Sequence, residues 1–373
     1  MADTLWKAVD NGEIAPEKIF RIWACGDSHV HTDLRFGYES LITAIRQSEF
    51  GDPGSGAPPM DWDIAIHVGD TCGGQLPPTD EEGEEVIRQF GALEKHRRED
   101  VYNILGNHDA SGPNESTQWW FKKWIDPTGE NAEFSGVHNE HRPFPVTGTW
   151  ERYSFEAGNL LFLLMGDRND GGPPVGRGEK GGYPAGAVTR ETFDWWNDQV
   201  EAHPEKIIVS AHHHMLKETT VGSGPYEGYR KDEAGNWKPH YHGYFADGAP
   251  EGASYLYFVG DQPDAQAFEK YLAGHPGATA FWLGGHTHTH PDDTYGGRSH
   301  VETKWGTHFI NCAAISKHHA NITTMPMSRL LTFVEGHDEV RVQCYLHTDD
   351  HASTGWYAPA ERILPLGRPV SIP

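Results

Sequence analysis

The chain has 373 residues, 37% of them hydrophobic and 12% aromatic, which is long enough for a substantial core and too apolar for a disordered protein. A formal charge of −24, from 30 basic and 54 acidic residues, argues against nucleic acid or an anionic membrane surface as the main partner. The 24 histidines are the telling excess, because imidazole is the commonest side-chain ligand of transition metals.

Residues 1–20 mix acidic, polar and apolar side chains without the basic segment and apolar core of a secretory signal, so the cytoplasm is the expected location. Phe20 to Cys25 reads as a first strand that stops at Gly26-Asp27, and Tyr38 to Glu49 as a helix. Asp63 to Val68 is a second strand, stopping at Gly69-Asp70. Thr79, with Glu82 three residues on, has capping-box spacing and opens a helix expected to run from Asp80 to Arg98. Val101 to Leu105 is a third strand, stopping at Gly106-Asn107. A Trp-rich helix, Gln118 to Ile125, leads to two hairpin-like strands, Arg152 to Glu156 and Leu160 to Met165. The Gly-rich stretch from Gly171 to Gly186 lacks the GK[ST] of a phosphate-binding P-loop and reads as a loop.

A helix from Arg190 to Val200 precedes the strand Lys206 to Ser210, which stops at Ala211-His212. Residues 217–261 are aromatic and poor in periodicity, and read as an insertion in the domain. A helix near Ala265 to Ala273 precedes the strand Ala278 to Leu283, which stops at Gly284-Gly-His286. Strands near Thr307 to Asn311, Arg329 to Val334 and Val340 to Tyr345 close a core of about 20–346, leaving 347–373 as a surface tail. Short apolar strands alternating with helices indicate one layered α/β domain over residues 1–373. No apolar run approaches the roughly 20 residues that a bilayer span needs. The cysteines Cys25, Cys72, Cys312 and Cys344 form no CxxC pair and read as buried thiols.

Five strands end in side chains able to hold a metal: Asp27-Ser-His29, Gly69-Asp70, Gly106-Asn-His-Asp109, His212-His-His214 and Gly285-His-Thr-His288. Ligands of open α/β sheets gather at the carboxyl ends of strands, so these segments can converge on one crevice. Carboxylate, imidazole and one amide oxygen suit borderline divalent ions such as Zn, Mn or Fe. Seven ligands are too many for one tetrahedral ion, yet they fit two ions sharing a carboxylate. Such a pair, about 3.5–4 Å apart, can clamp a phosphoryl group.

The order D-x-H, GD, GNHD, H, GHxH resembles the calcineurin-like metallophosphoesterase superfamily over roughly Ile22 to Tyr345. The resemblance implies a four-layer α/β/β/α sandwich, two mixed β-sheets face to face with helices outside. It implies Asp27, His29 and His288 on one ion, Asn107, His212 and His286 on the other, and Asp70 bridging them. His108 would sit beside the phosphate as leaving-group acid or transition-state donor, with Asp109 orienting its ring. The implied reaction is hydrolysis of a phosphate ester by a hydroxide held between the ions. Among His212, His213 and His214 only the resemblance selects the first as ligand, with His213 the candidate to face substrate.

Arg168 follows an apolar strand and is either a substrate contact or a structural ion-pair partner. His31 and Asp33 follow the first motif and read equally as site residues or as a solvated loop pair. His67, between apolar neighbours, reads as a hydrogen-bonded core histidine. For His318 and His319, functional and surface readings are equally open. The aromatic insertion is either a cover over the crevice or a contact with a second copy of the chain, so a homo-oligomer stays open.

The chain departs from purple acid phosphatases, which carry tyrosine where it has Gly73. The paired histidines after the fourth strand resemble small phosphodiesterases, although those continue with proline where this chain has His214-Met215. The expectation is therefore a small-molecule phosphodiesterase. A broad-range phosphomonoesterase and a catalytically silent metal-dependent scaffold are the alternatives; a nuclease is disfavoured by the charge.

Overall fold

The structure of the protein, a computed structural model, describes residues 2–74, 76–112, 115–170, 183–224, 229–231, 237–239, 254–262, 265–319 and 325–373. In chain order the strands are β1 (Ile19–Cys25), β2 (Ile64–His67), β3 (Val101–Asn103), β4 (Thr147–Gly148), β5 (Arg152–Ala157) and β6 (Leu160–Met165). Then come β7 (Ala187–Val188), β8 (Ile207–His212), β9 (Tyr229–Lys231), β10 (Trp237–Pro239), β11 (Phe258–Val259) and β12 (Phe281–Gly284). The last are β13 (Val301–Lys304), β14 (Thr307–Asn311), β15 (Met327–Val334), β16 (Glu339–Leu346), β17 (Gly355–Trp356) and β18 (Arg362–Pro365). The helices are α1 (Ala2–Asp10), α2 (Val30–Leu34), α3 (Ser40–Phe50), α4 (Asp80–Phe90), α5 (Trp119–Trp124), α6 (Ala132–Ser135), α7 (Arg190–Ala202) and α8 (Ala267–Gly274).

One mixed sheet has the order β17-β16-β15-β1-β2-β3, with β18 also pairing β16; the other runs β13-β14-β12-β8-β6-β5-β4. Within the first, β1, β2 and β3 are parallel. Within the second, β6, β8, β12 and β14 are parallel. These central strands are buried on both faces, which is why they read as near-continuous apolar runs.

Side-chain alternation along each strand assembles the layers. Ile22, Ala24, Ile64 and Ile66 of the first sheet share one buried cluster with Phe162, Leu164, Val209 and Leu283 of the second. The intervening Trp23 and Ala65 face outward onto Leu41, Ile45, Val86 and Phe90 of α3 and α4. Leu161, Leu163, Ile208 and Trp282 meet Trp196, Val200, Phe268 and Leu272 of α7 and α8. The result is the four-layer α/β/β/α sandwich. Each fully buried Leu or Phe in it contributes roughly 1.5–3 kcal/mol.

Three sequence expectations are corrected. The helix opened by Thr79 has its capping box but ends at Phe90 rather than Arg98. The carboxylate of Glu49 accepts from the backbone N–H groups of Glu94 (2.9 Å), Lys95 (3.2 Å) and His96 (3.0 Å), which stabilises a non-helical path. The tail is no surface appendage: β17 and β18 extend the first sheet, Val370 is buried, and the Ser371 N–H donates to Asn159 Oδ1 at 2.9 Å. Finally, the flanks of the expected insertion belong to the core. Val221, Tyr255, Leu256 and Tyr257 are buried, and β11 pairs β7 in parallel. Among the described residues no helix is long and apolar enough to cross a membrane.

Candidate metal centre

Asp27 follows β1, Asp70 follows β2, Asn107 follows β3, His213 follows β8 and His286 follows β12, so all lie at the carboxyl ends of parallel strands. Four of the site residues turn the chain themselves in the left-handed region: Asp27 (φ 53°), His29 (φ 38°), Asp70 (φ 52°) and His286 (φ 67°). Such conformations cost of order 1–3 kcal/mol each and persist where surrounding structure imposes them. Glycine serves close approach instead. A Cβ on Gly106 would collide with the backbone and carboxylate of Asp70, and one on Gly285 with the carboxylate of Asp27.

Oδ1 of Asp27 lies 3.0 Å from Nε2 of His288 and 4.0 Å from Nε2 of His29. Oδ2 of Asp70 lies 3.6 Å from Nε2 of His29 and 3.1 Å from Nε2 of His213. Oδ1 of Asn107 lies 3.1 Å from Nδ1 of His286. Ligands that share one ion at about 2.0–2.2 Å stand roughly 3–4 Å apart, the spacing seen here. Nε2 of His29, Nε2 of His213 and Oδ2 of Asp70 are buried without a hydrogen-bond partner. Meanwhile the Nδ1 positions face backbone carbonyls, His29 toward Gly73 at 3.1 Å and His213 toward Val68 at 2.8 Å. An Nδ1–H donated to a carbonyl leaves the Nε2 lone pair for a metal. The residues therefore fit two divalent ions, with Asp70 reaching both halves.

At the fourth position the candidate metal groups contain a different histidine from the one the resemblance implies. His213, not His212, joins Asp27 and Asp70 in one candidate metal group and His214 and His286 in another. Nε2 of His212 instead lies 3.7 Å from Oδ1 of Asp167. His212 is the last residue of β8, paired with Met165 of β6, so the ladder still dictates its direction. His213 lies one residue beyond, and its ring is fixed by Val68.

Charge within this buried cluster is strongly coupled. Burial pushes Asp27 up to about 6, against the pull of His213. Burial also opposes ionisation of Asp70, but His213 and His108 outweigh it and hold that carboxyl well below the usual range. For His213 burial acts downward, yet Asp70 and Asp27 raise it to about 10. Burial, reinforced by His319, holds His29 well below the ordinary imidazole range.

His108 is buried beside the cluster, its backbone N–H donating to Oδ1 of Asp70 at 2.7 Å and its ring edge-on to His29 at 4.9 Å. Its Nδ1 faces the carbonyl of Gly74, so that carbonyl, and not Asp109, meets the ring. Asp109 accepts from the N–H groups of Cys72 and Gly106, both at 3.0 Å, and so ties together the loops after β2 and β3. Arg168 is engaged by Glu151 (3.2 Å) and Asp170 (2.6 Å), the ion-pair arrangement of the two that its sequence position left open. His67 is a core histidine bonded to Ser28 at 3.2 Å, and all four cysteines are buried and free.

In the sequence His319 forms a doublet with His318 that carries no spacing signal. The structure stacks its ring on His29 at 3.6 Å, while His318 packs near Phe36 at 5.0 Å. Asp33 belongs to the site's surroundings, accepting from the N–H groups of Lys317 and His318. A cleft of about 540 Å³ adjoins the centre, lined in part by His31, Arg35, Phe36, Gly74, Glu82 and His319. Tyr226, Tyr241, Tyr244 and Phe245 of the insertion, with His240 and His242, lie outside the described residues, as do residues 171–182 of the Gly-rich stretch; of Tyr229 and Trp237 only the backbone is described.

A sandwich carrying such a centre on its strand ends is of the metal-dependent phosphoesterase class. Residues 20–290 match the model of the calcineurin-like phosphoesterase family, and the chain belongs to that family. No curated protein matches the sequence. Similar solved structures include a single mutant of Vps29 from Entamoeba histolytica, at 11% identity and a TM-score of 0.33, covering 92% of this chain and 99% of that one. Vacuolar Protein Sorting 29 from Cryptosporidium parvum gives 11% identity and a TM-score of 0.33, covering 93% of this chain and 98% of that one.

Proposed function

We propose that the protein hydrolyses small-molecule phosphodiesters with two divalent ions, drawn from Mn, Fe and Zn. The observation that carries the reading is Oδ2 of Asp70, buried without a hydrogen-bond partner between Nε2 of His29 (3.6 Å) and Nε2 of His213 (3.1 Å). When bound, the ions would polarise the phosphoryl oxygens and make a water acidic enough to attack. The chain supplies the rest. Asp27, His29, Asp70 and His288 would hold one ion, and Asp70, Asn107, His213 and His286 the other. His108, anchored through its backbone on Asp70 and through Nδ1 on Gly74, is placed to donate a proton or hydrogen bond to the leaving oxygen.

The diester preference is supported by the cleft. Phe36 and Leu76 offer apolar surface for an organic substituent, while Glu81 and Glu82 add negative charge to the lining. A diester carries one negative charge where a monoester carries about 1.5–2 at pH 7, so it asks less of a lining in which Arg35 stands against two carboxylates, Glu81 and Glu82. The same argument, with the net charge of −24, favours a small ester over a nucleic acid. The test is a panel of mono-, di- and triesters offered to metal-reconstituted protein. Higher kcat/KM on diesters supports the reading; faster turnover of monoesters makes the protein a phosphomonoesterase. Metal-loaded protein that turns over no ester would be a scaffold.

A further inference from the structure

The short helix α2 begins at a metal-binding residue and carries a clamp. His29 is its N-cap, and Asp33 lies four residues further on. Oδ2 of Asp33 accepts from the Lys317 N–H at 2.6 Å and Oδ1 from the His318 N–H at 2.8 Å. The Ser40 hydroxyl donates to the same carboxylate. This clamp draws the segment after β14 back onto the centre and sets His319 over His29. The two rings stack with centroids 3.6 Å apart and planes 9° apart, and His319 meets His108 edge-on at 4.8 Å. The His319 side chain also lines the cleft beside the centre.

We infer that His319 is a substrate-binding residue that donates a hydrogen bond to a phosphoryl oxygen of the bound ester, with Asp33 as the residue that positions it. The inference rests on the phosphoesterase reading and extends it to residues outside the family's ordered motifs. One ring nitrogen from each of His29, His108 and His319 lies within 4.8 Å of the other two. Two donors that each sit about 2.8 Å from a shared oxygen can stand up to about 5.6 Å apart. His108 and His319 can therefore grip the same phosphoryl group from two sides.

A separate cation held by the three imidazoles is the competing arrangement. His29 argues against it: Nδ1 faces the Gly73 carbonyl at 3.1 Å, and Nε2 faces Asp27 and Asp70. Neither nitrogen is left for another ion.

The test uses full-length, metal-loaded protein, with elemental analysis, calorimetric binding of inorganic phosphate, and kcat and KM for bis(4-nitrophenyl) phosphate. His319→Phe keeps a flat ring over His29 and removes the donor; His319→Gln keeps a donor and guards against misfolding of the first variant. Expected for His319→Phe is unchanged metal content, phosphate binding weakened roughly 10-fold or more, and kcat/KM lowered by a similar factor. His319→Gln should recover part of both. Asp33→Asn should show a smaller loss that disappears in the His319→Phe background, since both changes act through one ring. Phosphate affinity and kcat/KM equal to wild type in His319→Phe would overturn the inference while leaving the phosphoesterase reading intact. Loss of an ion in that variant overturns it too, making His319 a metal ligand. Wild-type protein that carries metal yet binds no phosphate and cleaves no ester defeats the phosphoesterase reading itself, and this inference with it.

Discussion

Nε2 of His213 stands 3.1 Å from Oδ2 of Asp70, whereas Nε2 of its chain neighbour His212 stands 3.7 Å from Oδ1 of Asp167. Two adjacent imidazoles thus serve different carboxylates, and only one of those carboxylates belongs to the metal centre. His213→Ala is expected to lose the ion shared with Asn107 and His286, while His212→Ala keeps both ions and loses mainly stability. Elemental analysis of the two purified variants decides the matter; full metal content in His213→Ala with depletion in His212→Ala would reverse the assignment.

The protonation of His213 makes metal binding depend on pH. In metal-free protein Asp70 and Asp27 overcome burial and raise its pKa to about 10, above the unfolded value of about 6.5. A raised folded pKa means stability that is fully present below about 6.5 and lost as pH climbs through about 10. A metal must displace that proton, so the rise in Tm on adding Mn should grow between pH 6.5 and pH 9. Calorimetry at both pH values, with and without Mn, tests this. A rise that shrinks with pH contradicts it.

His108 is proposed to act on the ester without holding metal. His108→Ala should retain both ions while kcat falls by roughly 10²–10⁴-fold, the usual worth of a positioned proton donor. The loss should be smaller for nitrophenyl esters, whose leaving group needs little protonation. Equal losses on good and poor leaving groups would assign His108 to charge stabilisation instead.

Asp109 is fully buried and satisfies the N–H groups of Cys72 and Gly106. Asp109→Ala leaves two buried donors unpaired and should cost about 1–3 kcal/mol of stability for each, together with weaker metal binding as the two loops part. Urea unfolding of the metal-free variant measures the first and metal titration the second. An unchanged unfolding midpoint would remove Asp109 from this role.

Truncation at residue 346 distinguishes an appendage from a structural edge. Removing β17 and β18 uncovers the backbone of β16 and bares the core cluster against which Leu364, Leu366 and Val370 pack. The shortened chain should melt at a lower temperature and self-associate through the bared edge. Light scattering and a thermal melt matching those of the full chain would contradict the pairing seen here.

Much of the fold can be read locally. The runs at Ile22, Ile64, Leu160 and Ile207 announce strands because a strand buried on both faces must be apolar throughout. The stop signals Asp27 and Asp70 follow the first two of those runs, and Asn107 and His286 follow the runs of β3 and β12, so their place at one end of the sheets is legible as well. Edges and junctions are not. Residues 355–365 carry no strand signal strong enough to separate them from a tail, because two short strands of two and four residues gain their order from the edge of β16 and not from their own pattern. The helix after Thr79 ends early for a similar reason, since the Glu49 carboxylate that accepts the N–H groups beyond it comes from α3.

At the centre, ligand type and order were determined by the sequence, since each motif is a contiguous stretch of a few residues. Direction was not. Which of three consecutive histidines reaches Asp70 depends on where the β8 ladder ends and on the Val68 carbonyl that fixes the ring. What orients His108 depends on Gly74, across the loop after β2. Above all, His319 is brought onto His29 by a carboxylate 284 residues away from Lys317, a contact that no local pattern encodes. Hydrogen bonds and ring contacts reach only a few ångströms, so they select among chemically equivalent neighbours only after packing has brought distant segments together.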